Sequence, residues 1–155
     1  MMQQKFMKRA LEEAQKGVDA GDGGPFGAVI VKEGEIIAAG HNEVVKNNDP
    51  TAHAEIVTIR KASRKLAHFH LTGCQLYITA EPCPMCFAAI HWAHIEKVFY
   101  CNTKTQSAQI GFDDTIITEI IEHRRPDPIV FVHTPMESCH TLFKKWFEKP
   151  DKVLY

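Results

Sequence analysis

The chain has 155 residues, 45% of them apolar and 24% charged, with a formal net charge of -1. This suits one globular domain over residues 1–155, and a near-neutral chain is poorly suited to binding mainly the nucleic-acid backbone. No run approaches the roughly 18 apolar residues of a membrane helix, and five cysteines make a poor disulfide framework.

The start, Met1 to Phe6, has no secretory apolar region, so a cytoplasmic location is expected. Phe6, Ala10, Leu11, Ala14 and Val18 recur at helical spacing, with Lys5, Lys8, Arg9, Glu12, Glu13 and Lys16 on the other faces. That predicts an amphipathic helix packed on the core, frayed at Gly17 and ended by Gly21. Asp22-Gly23-Gly24-Pro25-Phe26-Gly27 is a glycine-rich turn without the pattern of a phosphate cradle. Phe26 in it is either core or one wall of a ligand slot. Residues 28–31 and 36–39 read as a strand hairpin about a turn at 32–35. Asn42 follows, either a ligand contact or a turn residue bonding its own backbone.

A helix is predicted from 53 to about 66 and a strand over 76–79. A further helix runs from Pro84 to about His94, and a fourth strand covers 98–101. Residues 102–109 read as loop or frayed helix. Ile116, Ile117, Ile120 and Ile121 give a helical repeat, and 129–132 reads as a fifth strand. Strand–helix–strand order favours parallel pairing of strands four and five. A last helix over 138–148 should bury Leu142, Trp146 and Phe147, and Pro150 prevents its continuation. Val153-Leu154-Tyr155 is too apolar for a free end and should dock.

Chemistry concentrates in Pro82-Cys83-Pro84-Met85-Cys86. Pro84 suits a first helical position, which puts Cys83 at the cap and Cys86 in the first turn. Helical residues advance about 100° each, so the two sulfurs lie on nearly one face. The helix dipole favours their thiolate forms. With His53 they make three ligands suited to zinc, and three protein ligands leave the open fourth position of a catalytic site. Glu55 is two residues from His53, about 200° around a helix. Both face one site only if His53 lies where the chain enters the helix, and Pro50-Thr51-Ala52 supports that. Glu55 then stands ready to move a proton of the activated water. His91 and His94 lie about 140° and 80° around the helix from Cys86 and are not expected as ligands. His68 and His70 read as surface groups. Cys74, Cys101 and Cys139 read as buried or inert thiols.

His53-Ala54-Glu55 and Pro82-Cys83-Pro84-Met85-Cys86 in this order of elements resemble the cytidine-deaminase superfold. That resemblance implies a three-layer α/β/α fold with a five-stranded mixed sheet. Within it, Gly24-Pro25-Phe26-Gly27-Ala28, Asn42, the stretch from Asp49 to Glu55 and Gly111-Phe112-Asp113-Asp114 are similar to small bacterial guanine deaminases. The resemblance implies one zinc ion on His53, Cys83 and Cys86, with Glu55 as proton shuttle and Asp114 assisting. It implies purine contacts from Phe26, Asn42, Ala54, Trp92, Asp114 and Tyr155, and a homodimer whose C-terminal segment packs on the partner. The implied reaction is hydrolytic conversion of guanine to xanthine and ammonia. Other aminopurines, guanosine-type nucleosides, pyrimidines and a tRNA adenosine remain alternative substrates, and a structural zinc module would not need Glu55. Asp113 or Asp114 has an alternative role in capping the following helix.

Overall fold

The computed structural model describes residues 2–154. Its sheet has four strands, β1 (Gly27–Lys32), β2 (Glu35–His41), β3 (Cys74–Ala80) and β4 (Lys97–Asn102), in the order β2-β1-β3-β4. β1 is antiparallel to β2 and β3, and β3 is parallel to β4. Glu33 and Gly34 join β1 to β2 with φ of 50° and 82°, the left-handed two-residue turn whose twist matches that of the strands.

β1 reads as an unbroken apolar run because both of its faces are covered. Ala28 and Ile30 face one cluster with Leu76, Ile78 and Ile90. Val29 and Val31 face the other, with Phe6, Ala10 and Tyr77. The first cluster lies under α3 (Ala54–Leu66) and α4 (Pro84–Trp92), the second under α1 (Met2–Ala20). The three expected layers are therefore present. α1 runs through Gly17 without a break, and Leu11 and Val18 are exposed rather than inside. Phe6 is buried against Tyr77, ring centres 5.2 Å apart, and burial of its side chain stabilises the fold by about 2 kcal/mol. α1 comes so close to β1 that a Cβ on Gly27 would stand 2.0 Å from the Ala10 carbonyl oxygen.

Short helices fill the connections: α2 (Val44–Asn47), α5 (Lys104–Gln109) and α6 (Thr115–Ile121), followed by α7 (Glu137–Glu148). Here two expectations fail. Residues 129–132 form no strand, and Val130 and Phe131 are 83% and 81% exposed. α7 forms, but Leu142, Trp146 and Phe147 lie exposed. The cause is shared. Residues 129–132 have strand composition, but a strand exists only when paired, and within the described chain nothing pairs there. The edge of β4 also stays open, with Tyr100 49% exposed. Cys74 is buried as expected, whereas Cys101 and Cys139 are exposed. Among the described residues, no helix is long and apolar enough to cross a membrane.

Candidate metal centre and cavity

The site lies where β3 ends and α4 begins, beyond the carboxyl end of a parallel strand, as ligand sites in open α/β sheets do. Cys83 is the N-cap of α4, with φ -68° and ψ 168°, and Pro84 follows at the first helical position. The backbone N–H of Cys86 donates to Cys83 Sγ at 3.5 Å, so the sulfur occupies the place of a capping oxygen. On the facing segment His53 is the N-cap of α3, φ -64° and ψ 154°. Its extended backbone, not a helical one, turns its ring to the side that Glu55 faces.

His53 Nδ1 is 3.6 Å from Cys83 Sγ and 3.5 Å from Cys86 Sγ. Tetrahedral zinc with bonds of about 2.3 Å to sulfur and 2.0–2.1 Å to nitrogen requires nitrogen–sulfur separations of about 3.5 Å, so the residues fit that ion. Their three ligand atoms lie within 4.8 Å of one another, and among the described residues no fourth histidine, cysteine or acid joins them. Hydrogen bonds from Cys86 and His53 pull the Cys83 thiol down to about 4, against its burial. The Cys83 contact pushes Cys86 up, and burial adds to that. The hydrogen bond between His53 and Cys83 raises His53, against its burial. The three donors thus share protons that a divalent cation displaces on binding. Burial pushes the Glu55 carboxyl up, toward the range useful for taking and returning a proton near neutral pH.

A cavity of about 610 Å³ opens over this centre, within the usual range for a small-molecule site. His53, Glu55 and Cys83 line it together with Phe26, Asn42 and Asp114. Phe26 is only partly buried and meets the Phe112 ring edge-on at 4.8 Å. Asn42 accepts a turn bond at Oδ1 from the Val44 N–H at 3.1 Å, so it is both turn residue and cavity wall. A Cβ on Gly23 would come within 2.1 Å of that oxygen. Asp22 braces this loop: its Oδ2 lies 2.7 Å from His41 Nε2 and accepts from Lys46 Nζ at 3.2 Å.

The two aspartates have separate roles. Asp113 accepts from the Thr115 N–H at 2.9 Å and that bonding to Thr115 holds it below the usual carboxylate range. Asp114 sits at the N-cap of α6 yet its side chain makes no capping bond. Burial pushes Asp114 up, and nearby Lys104 pulls the other way.

Two expected contacts differ. Trp92 is 64% exposed at the last turn of α4 and does not line the cavity. Six residues from Cys86 is about 240° around a helix, which turns it from the metal side. Ala54 also stays off the cavity wall, because its side chain packs in the core cluster. Tyr155 lies outside the described residues. Lys104, Glu81 and Phe112 line the cavity and were not anticipated there. Thr103-x-x-Gln106 is a capping box that the sequence displays, and it places Lys104 at a helix start. His68, His70, His91 and His94 stay out of the metal group, and His94 stacks on His70 at 3.9 Å.

The profile of the cytidine and deoxycytidylate deaminase zinc-binding region matches residues 1–102. The guanine deaminase of Bacillus subtilis (strain 168) is 46% identical over 156 residues, covering 100% of both chains. Its X-ray structure matches with a TM-score of 0.92 over 98% of each chain. A tRNA-specific adenosine deaminase of Aquifex aeolicus (strain VF5) is 39% identical over 93% of each. The guanine deaminase of Nitrosomonas europaea matches at 35% identity, with a TM-score of 0.67 over 70% of this chain and 63% of that one.

Proposed function

The chain belongs to the cytidine and deoxycytidylate deaminase family of zinc-binding proteins, and from that premise we propose that it hydrolyses guanine to xanthine and ammonia. What carries this substrate choice is a likeness to the Bacillus guanine deaminase that runs the whole chain, the C-terminal arm of residues 129–148 included. The Asp114 carboxylate, which makes no capping bond and lines the cavity, supports it, because the N1–H and C2-amino edge of guanine is rich in donors.

Zinc on His53, Cys83 and Cys86 supplies the acidity that makes water nucleophilic near neutral pH. Glu55 takes a proton from the attacking water, whose oxygen forms a bond to C2, and passes that proton to a ring nitrogen. It then moves the remaining hydroxyl proton to the amino group, and the C2–N bond breaks to release ammonia. Asp114 accepts from the purine donors and so assists. A base without those donors leaves a half-buried carboxylate unpaired, a penalty of up to about 10⁴-fold. Asn42, its Oδ1 held by Val44, offers the cavity its amide N–H groups. Phe26, braced by Phe112, covers one face of the ring.

We further propose a homodimer in which 129–132 of one copy adds to the open edge of β4 in the other and α7 follows it. Support comes from complementary exposure: Val130, Phe131, Leu142, Phe143 and Phe147 on the arm, and Tyr100 on β4. Tyr155 is proposed to close the pocket. A cytoplasmic location, where thiolate ligands stay reduced, belongs to the same proposal.

An ammonia-release assay over guanine, adenine, cytosine, guanosine and a tRNA anticodon stem tests the reaction. Guanine should exceed the others by at least about 10²-fold. Release from the tRNA stem alone would overturn the reading in favour of RNA editing.

A further inference from the structure

α5 is fastened to the metal centre. The Lys104 backbone N–H donates to Glu81 Oε2 at 3.1 Å, and the Glu81 N–H donates to the Asn102 carbonyl at 2.8 Å. Glu81 is two residues before the ligand Cys83. The Thr103–Gln106 capping box fixes the same turn from the other side. Lys104 is therefore the first residue of a helix whose start cannot drift from the cysteine loop.

A cation is the wrong charge for that position, since the helix dipole favours acids in the first turn. Such a local misfit marks functional sites more often than scaffolding. The Lys104 side chain lines the cavity, with Nζ 3.8 Å from Asp114 Oδ2. Asp114 has negative neighbours in Asp113 and Cys83, and Lys104 is the cation that faces it. At 3.8 Å the pair is Coulombic rather than hydrogen-bonded, so it orients the carboxylate without occupying its lone pairs. Asp113 is tied down by its own turn, whereas the Asp114 carboxylate is held by a local backbone hydrogen bond and by the charge of Lys104.

We propose that Lys104 is a positioning residue for substrate recognition: its ammonium holds the Asp114 carboxylate toward the cavity until purine N–H donors take it over. This rests on the purine reading above. Lys104 acts through Asp114 and leaves the metal and Glu55 untouched. It therefore governs how well the base is held more than how fast the held base reacts.

A double-mutant cycle on the zinc-loaded protein tests this with wild type, Lys104→Met, Asp114→Asn and the double variant. Lys104→Met should raise KM for guanine about tenfold while kcat stays within about threefold. Lys104→Gln should do the same and Lys104→Arg should restore most of the loss. In the Asp114→Asn background, Lys104→Met should change nothing further. Additive losses, an unchanged KM, or failure of arginine to rescue would overturn the proposal. If Asp114→Asn turns over too slowly, the same cycle is read as guanine affinity by calorimetry in the Glu55→Gln background. Should wild type prove inactive on guanine, the reading of the reaction fails. The cycle then runs on the base that the panel identifies, where non-additivity still upholds Lys104 and additivity still refutes it.

Discussion

His53 Nδ1 and Cys86 Sγ, 33 residues apart in the chain, stand 3.5 Å from each other. Two helix starts on opposite segments meet there, so the metal joins α3 to α4. Chelation should abolish turnover and lower the melting temperature, and added zinc should restore both. Cys86→Ser should hold well under one zinc per chain. Zinc content by mass spectrometry, with melting curves, checks this.

In the proposed reaction Glu55 transfers protons, and it stands outside the His53, Cys83 and Cys86 group. Glu55→Gln should keep one zinc per chain and its melting temperature, and lose about 10²–10⁴-fold in kcat. Ammonia release with parallel zinc analysis checks both halves. Substantial residual activity would remove Glu55 from the proton path.

Adjacent aspartates should respond differently. Asp114→Asn should lower kcat/KM on guanine by about 10²-fold or more, since one half-buried acceptor oxygen becomes a donor where donors must be met. Asp113→Asn keeps the oxygen that accepts from Thr115 and should cost less than about threefold. Steady-state kinetics of the two variants decide between these roles.

Glu13 offers a pH prediction away from the active site. Burial pushes its carboxyl up, but hydrogen bonds from Lys16 and Arg9 pull it below its usual 4.5. A depressed folded value means that ionised Glu13 stabilises the fold above pH of about 4.5, and that this is lost as pH falls through the folded value. Glu13→Gln should cost about 2 kcal/mol at pH 7 and flatten the acid limb of stability. Urea unfolding from pH 7 down to pH 3 measures it.

The arm carries its own test. Val130→Asp with Phe131→Asp should convert a dimer into monomers with the metal centre still loaded, read by light scattering and zinc analysis. A dimer that survives both changes would rule out pairing through 129–132.

The metal centre was legible because its rules are local. Cys83 and Cys86 need only one helical turn, and His53 and Glu55 only a helix start. The phase of Trp92 was legible in principle, since counting six residues from Cys86 already turns it away. Lys104 was harder: its partner Asp114 lies ten residues on, across a turn that no local period reports. The fifth strand shows a different limit. Residues 129–132 have the composition of a strand, but composition does not say which edge, or which copy, supplies the neighbour.

The open edge of β4 and the exposed segment 129–148 also bear on the life of the newly made chain. A newly made chain exposes an unpaired strand edge together with a β-prone apolar segment, a combination that favours aggregation. In the proposed dimer, correct pairing and clumping compete for the same surfaces. Yield from the cell would then depend on how soon two copies meet, and crowding during rapid synthesis would help and harm the protein by the same contact.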